Sequence, residues 1–112
     1  MIHFFENQSK TIYAVQTQDL ISNQDISKLN WLFAQSNKLD NAVLRAVGSD
    51  FFVGPRASMI TPWSTNAVEI TQNMGISGII RIEEFHKVSV DFTDFDPMLL
   101  QKYTELNQTI YT

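Results

Sequence analysis

The chain has 112 residues, a net charge of −4 at neutral pH and no cysteine. Its length suits one domain that buries about two thirds of its unfolded surface in one core, with no room for a second full domain. Only eight scattered Lys and Arg stand against twelve Asp and Glu, which argues against a nucleic-acid surface, and the missing cysteine excludes disulfides, a thiolate nucleophile and thiolate-bound zinc. A composition that is 44% hydrophobic, with eight phenylalanines, is that of a folding chain. The first ten residues lack a basic, apolar signal pattern, and nowhere do about eighteen apolar residues follow one another, so a cytoplasmic protein without a membrane contact is expected.

In chain order, residues 2–5 read as a short strand and residues 13–18 as a stronger one, with Tyr13, Val15 and Thr17 on one face and Ile12, Ala14 and Gln16 on the other. Ser22, with Asp25 three positions on, opens a helix over residues 23–36 whose apolar stripe is Ile26, Leu29, Leu32 and Phe33. Residues 38–48 fit no period and read as a connection. The apolar run of residues 51–53 is expected to stop at Gly54-Pro55, leaving Arg56 at a strand end.

Thr61 before Pro62 marks the start of a helix over residues 62–74, since proline at the first helical position gives up an N–H that would have had no partner there. Trp63, Ala67, Ile70 and Met74 share its predicted buried stripe, and Gly75 supplies the left-handed residue that ends it. Two alternating runs, residues 79–83 and 88–92, suggest a hairpin turning at Phe85-His86. Pro97, capped by Asp94 or Asp96, opens a predicted third helix over residues 97–107 with Leu99, Leu100, Tyr103 and Leu106 buried, and residues 109–112 read as a strand-like tail. The expected fold is α+β, a mainly antiparallel sheet with helices on one face.

No constellation in the sequence carries chemistry. His3 and His86 are far apart and read as surface or strand-end residues. Asp91, Asp94 and Asp96 lack the spacing of a calcium loop and suit a helix N-terminus. Glu83 and Glu84 point to opposite faces of a strand and cannot work as an acid–base pair. Gly54-Pro55-Arg56 has one glycine, and its proline removes a donor that a phosphate cradle would need. Trp63 reads first as a core residue and second as an interface residue.

The wording between Val53 and Glu83 says more than its periodicity. Val53-Gly54-Pro55-Arg56, Thr61-Pro62-Trp63-Ser64-Thr65-Asn66-Ala67, Glu69-Ile70, Gln72-Asn73-Met74-Gly75-Ile76 and Arg81-Ile82-Glu83 resemble the N-terminal domain of the large, single-chain phosphoribosylformylglycinamidine synthase, also called formylglycinamide ribonucleotide amidotransferase. Several uncommon residues match in register; Ala57-Ser58 depart from the usual Pro-Gly or similar pair, and much of the longer leading helix of some relatives has no counterpart.

The resemblance implies a fold like a fused dimer of the small subunit of the split enzyme. It also implies a chain that is the N-terminal fragment of a much longer purine-biosynthetic ligase. That parent uses glutamine, ATP and magnesium to convert formylglycinamide ribonucleotide to formylglycinamidine ribonucleotide. Its glutaminase works through a cysteine that this chain lacks, so the chain itself is expected to be inactive, without cofactor or metal. Its expected partners are the synthetase and glutaminase domains, which it would couple for ammonia transfer, with Arg56, Pro62, Trp63, Ser64 and Arg81 as candidate contacts. The isolated piece could self-associate through sheet edges. The contrasting expectation is a free-standing α+β module that dimerises and binds a small metabolite.

Overall fold

The computed structural model of the chain describes residues 1–46, 48 and 50–112. Six strands form one sheet: β1 (Ile2–Glu6), β2 (Ile12–Thr17), β3 (Asn37–Lys38), β5 (Phe51–Pro55), β6 (Ile79–Val88) and β7 (Leu100–Tyr103), in the spatial order β3-β1-β2-β6-β5-β7. Every pairing in it is antiparallel. A separate two-stranded ribbon joins β4 (Leu44–Arg45) to β8 (Glu105–Leu106). Two helices, α1 (Asn23–Leu32) and α2 (Pro62–Asn73), complete the α+β architecture.

Both sheet faces are covered, because side chains alternate along each strand and both sets are apolar. Phe5, Tyr13, Val15 and Ile82 face the helices and pack with Leu29, Phe33 and Ala67. Ile2, Phe4, Ile12, Ala14, Phe52 and Phe85 face the other way and are sealed by Leu106 and Ile110. Phe4, Phe5, Phe52 and Phe85 are 0–1% exposed; a side chain of that kind contributes about 1.5–3 kcal/mol when fully buried.

The caps at Ser22 and Thr61 are as expected: Ser22 Oγ accepts from Asp25 N at 3.1 Å, and Thr61 Oγ1 accepts from Ser64 N at 3.0 Å. Gly75 has φ +82° beyond the end of α2. α1 stops short of residue 36 because Ala34 and Gln35 turn left-handed, with φ near +60°, and lead the chain into β3.

Four expectations are corrected. β5 does not stop at Val53; Gly54 and Pro55 continue it and pair with Gln101 and Leu100 of β7, the proline sitting at the strand's last position. Residues 79–88 are one unbroken strand rather than half of a hairpin, since Glu84-Phe85-His86-Lys87 contains no residue that favours reversal, and the chain turns after Ser89 instead. No helix covers residues 97–107. Asp96 accepts from Met98 N and from the amides of Leu99 and Leu100, which makes one turn, and residues 100–103 then take the open edge of β5, where a ladder satisfies backbone groups on both strands. Residues 109–112 form a turn that packs Ile110, not a strand. The connection expected over residues 38–48 holds the short strand β4, while Val47 lies outside the described residues.

Candidate functional site

The sheet parts between β5 and β6. Phe51, Phe52 and Val53 pair with Val88, Lys87 and His86, and then the strands diverge. Gly54 lies on the Phe85 ring, so closely that a β-carbon there would overlap it, and it steers β5 towards β7. The start of α2 fills the gap. Ser64 Oγ accepts from Ile82 N at 3.1 Å, giving the β6 amide the partner that β5 no longer provides.

Around that gap lies a buried polar cluster. Glu83 is 1% exposed and accepts from Thr61 Oγ1 at 2.6 Å, from Thr61 N at 3.1 Å and from Arg81 Nε at 3.0 Å. Arg81, 3% exposed, spends the rest of its guanidinium on the loop entering α2: Nη1 donates to Ala57 O at 2.6 Å, and Nη2 to Arg56 O and Met59 O at 3.2 Å each. One arginine thus ties three carbonyls of a surface loop to the sheet, and the carboxylate beside it holds the cap of the helix that follows. Tyr103 donates to Pro55 O at 2.6 Å, fixing the start of the same loop. Burial pushes the Tyr103 phenol above its ordinary value, so it stays a donor.

The surface above this cluster is apolar and exposed. Ile60 is 63% exposed, Met98 75% and Leu99 49%, with Met59 and Trp63 about 40%. Met59, Ile60, Pro62 and Leu99 line a groove of about 280 Å³. Val53, Pro55, Trp63 and Leu100 line a second cleft of about 340 Å³, together with Glu84 and His86. The Arg56 side chain is exposed, and among the described residues it has no hydrogen bond or ion pair.

Strand, loop, helix and strand between Val53 and Glu83 are therefore one unit, knit by its own polar residues. The model of the family described as formylglycinamide ribonucleotide amidotransferase N-terminal matches residues 10–110. The chain belongs to this family. Comparison with curated proteins and with solved structures returned no match. As an amidotransferase N-terminal domain, the chain comes from a family tied to an enzyme of purine biosynthesis. No helix among the described residues is long and apolar enough to cross a membrane.

In this amidotransferase domain the five singled-out residues part into two groups. Arg56, Pro62 and Trp63 are on the surface; Ser64 and Arg81 are inside, their hydrogen bonds spent within the chain. Ser64 and Arg81, named from the sequence as candidate contacts, serve folding as well, because they close the gap between β5 and β6. The buried stripe of α2 is Ser64, Ala67 and Thr71, with Val68 and Met74 half-buried, while Ile70 is exposed. Bonds from Thr61 and Ser64 to β6 set the helix's rotation, and small side chains let it sit close.

Sequence reasoning set Glu83 aside as half of an acid–base pair without seeing its contact with Arg81, and it missed Tyr111. Glu83 could have been found from its place two residues after Arg81, on the same strand face. Nothing local marks Tyr111, whose partners lie far away in sequence. His3 is also more buried than expected, at 9% exposure, with Nε2 unpartnered among the described residues. Burial, and then the nearby Lys38 and N-terminal amine, lower its pKa, so the folded state resists protonation and stability falls as pH drops below the ordinary histidine range.

Proposed function

We propose that this chain is a non-catalytic docking domain of a formylglycinamide ribonucleotide amidotransferase, holding the glutaminase and synthetase domains of the parent enzyme in register so that ammonia passes between them. One observation carries the reading: an arginine that is 3% exposed and a carboxylate that is 1% exposed fix a loop whose own side chains, Arg56, Met59 and Ile60, point outward and pack on little. Two desolvated charges are a costly way to build a loop that contributes little to the core, and the cost is reasonable when the loop's exposed shape is what is needed. Arginine and tryptophan beside exposed aliphatic groups are residue types that anchor protein interfaces. The family membership supports partners among the other domains of the parent enzyme, and the chain's lack of cysteine fits a thiolate step carried by another domain. ATP and magnesium are assigned to the parent enzyme.

The purified chain is expected neither to release ammonia from glutamine nor to consume ATP in the presence of formylglycinamide ribonucleotide. Both are measured with a coupled assay against a buffer blank. Turnover that survives repurification would overturn the non-catalytic reading.

A further inference from the structure

We propose that Tyr111 is a positioning residue for the 56–60 loop, acting on it through Arg81. The use made of that loop rests on the docking reading above; the coupling itself does not. The Tyr111 ring lies over the Arg81 guanidinium at 4.3 Å from its centroid, and its hydroxyl donates to Ala14 O at 2.6 Å, in the middle of the sheet. The guanidinium's edges are occupied by Glu83 and by the carbonyls of Arg56, Ala57 and Met59. An aromatic face over the plane and acceptors around the edge leave the arginine one orientation. Burial and the neighbouring Glu83 charge push the Tyr111 phenol up, so its hydroxyl remains protonated and anchored.

Tyr111 belongs to a segment with its own seat. Gln108 accepts from Ile2 N at 2.6 Å and donates to Ile2 O and Ala42 O, and Ile110 is buried against the second core. The path runs from the first strand through this segment and the ring to Arg81, and from there to the loop. Each link is a direct contact. Lifting the segment frees the guanidinium to leave the loop carbonyls, and by linkage a partner that grips the loop strengthens the segment's seat. The segment and the docking loop therefore set each other's order.

Amide hydrogen exchange on the folded chain tests this, comparing the wild type with Tyr111→Phe, Tyr111→Leu and Gln108→Ala. The diagnostic amides are Met59, which donates to Arg56 O, and Thr61, which donates to Glu83. Tyr111→Phe keeps the ring and should leave both within about twofold of wild type. Tyr111→Leu should speed both by about tenfold, while amides of the β1–β2 ladder and α1 hold steady. Gln108→Ala, which touches neither Arg81 nor the loop, should speed the same two amides by a smaller factor, and it decides the matter if Tyr111→Leu does not fold. Unchanged loop amides in the variants that fold, a uniform rise across the sheet, or a Tyr111→Phe effect as large as that of Tyr111→Leu would overturn the proposal. None of these readouts depends on whether the loop binds a partner, so a failure here is distinct from a failure of the docking reading.

Discussion

Replacing Arg81 with alanine is expected to lower the stability of the chain by about 3–5 kcal/mol, because it leaves Glu83 charged and buried with one partner fewer. Glu83 would keep only its bonds to Thr61, while the carbonyls of Ala57 and Met59 would lose the Arg81 donor and that of Arg56 would keep only Met59 N. A loss of that size is a large share of the 5–15 kcal/mol that holds a typical domain together. Urea unfolding reports the total, and limited proteolysis at the 56–60 loop reports where the native state opens. Adding Glu83→Gln to Arg81→Ala should return part of the loss, since a neutral amide costs less to bury than an unpaired carboxylate. A loss below about 1 kcal/mol for Arg81→Ala would mean that the cluster is ornamental to the fold.

Gly54→Ala is expected to be nearly as damaging, although it adds one methyl group. The new β-carbon would overlap the Cδ2 and Cε2 carbons of the Phe85 ring, and that ring is fully buried. Phe85 cannot swing aside freely, since Tyr103 meets it edge-on with ring centroids 5.5 Å apart and Tyr111 lies within 6.4 Å. Overpacking of this kind costs about 1–3 kcal/mol, and here the upper end applies because the backbone must move where β5 leaves β6. Combining Gly54→Ala with Phe85→Leu should be less destabilising than the sum of the two single changes, by about 1 kcal/mol, as contacting residues couple. Strict additivity would show that the ring and the glycine are not in the contact described.

Much of this was legible in the sequence where local chemistry decides structure. Ser22, Thr61, Pro62 and Gly75 act within a turn of their own positions, and they mark the helix boundaries that the structure has. Period-2 alternation placed β2 and the first half of β6, and the apolar run of residues 51–53 placed the start of β5. The misreadings arose where tertiary contacts decide. Leu99, Leu100, Tyr103 and Leu106 satisfy a helical stripe, yet an unpaired edge on β5 captures residues 100–103 as a strand, and short apolar runs are ambiguous between the two. Trp63 and Ile70 were placed on the buried side of α2 because they are large and apolar; hydrogen bonds from Ser64 and Thr61 to β6 turn the helix so that Ala67 and Thr71 go in instead. The candidate site was half legible for the same reason. Its surface members stand out as unusual residue types, whereas Tyr111 reaches Arg81 only through the fold.

Full-length amidotransferase carrying Arg56→Ala, assayed with glutamine and separately with ammonium as nitrogen donor, tests the docking account most directly. The side chain is exposed and the backbone bonds of residue 56 are untouched by the change, so the isolated domain should keep its stability to within about 0.5 kcal/mol. Loss of an interface anchor should lower glutamine-dependent synthesis by about tenfold while ammonia-dependent synthesis stays near wild type, because only the first needs the domains held in register. Equal falls in both activities, or unfolding of the isolated domain, would contradict the account and make Arg56 a residue of the fold.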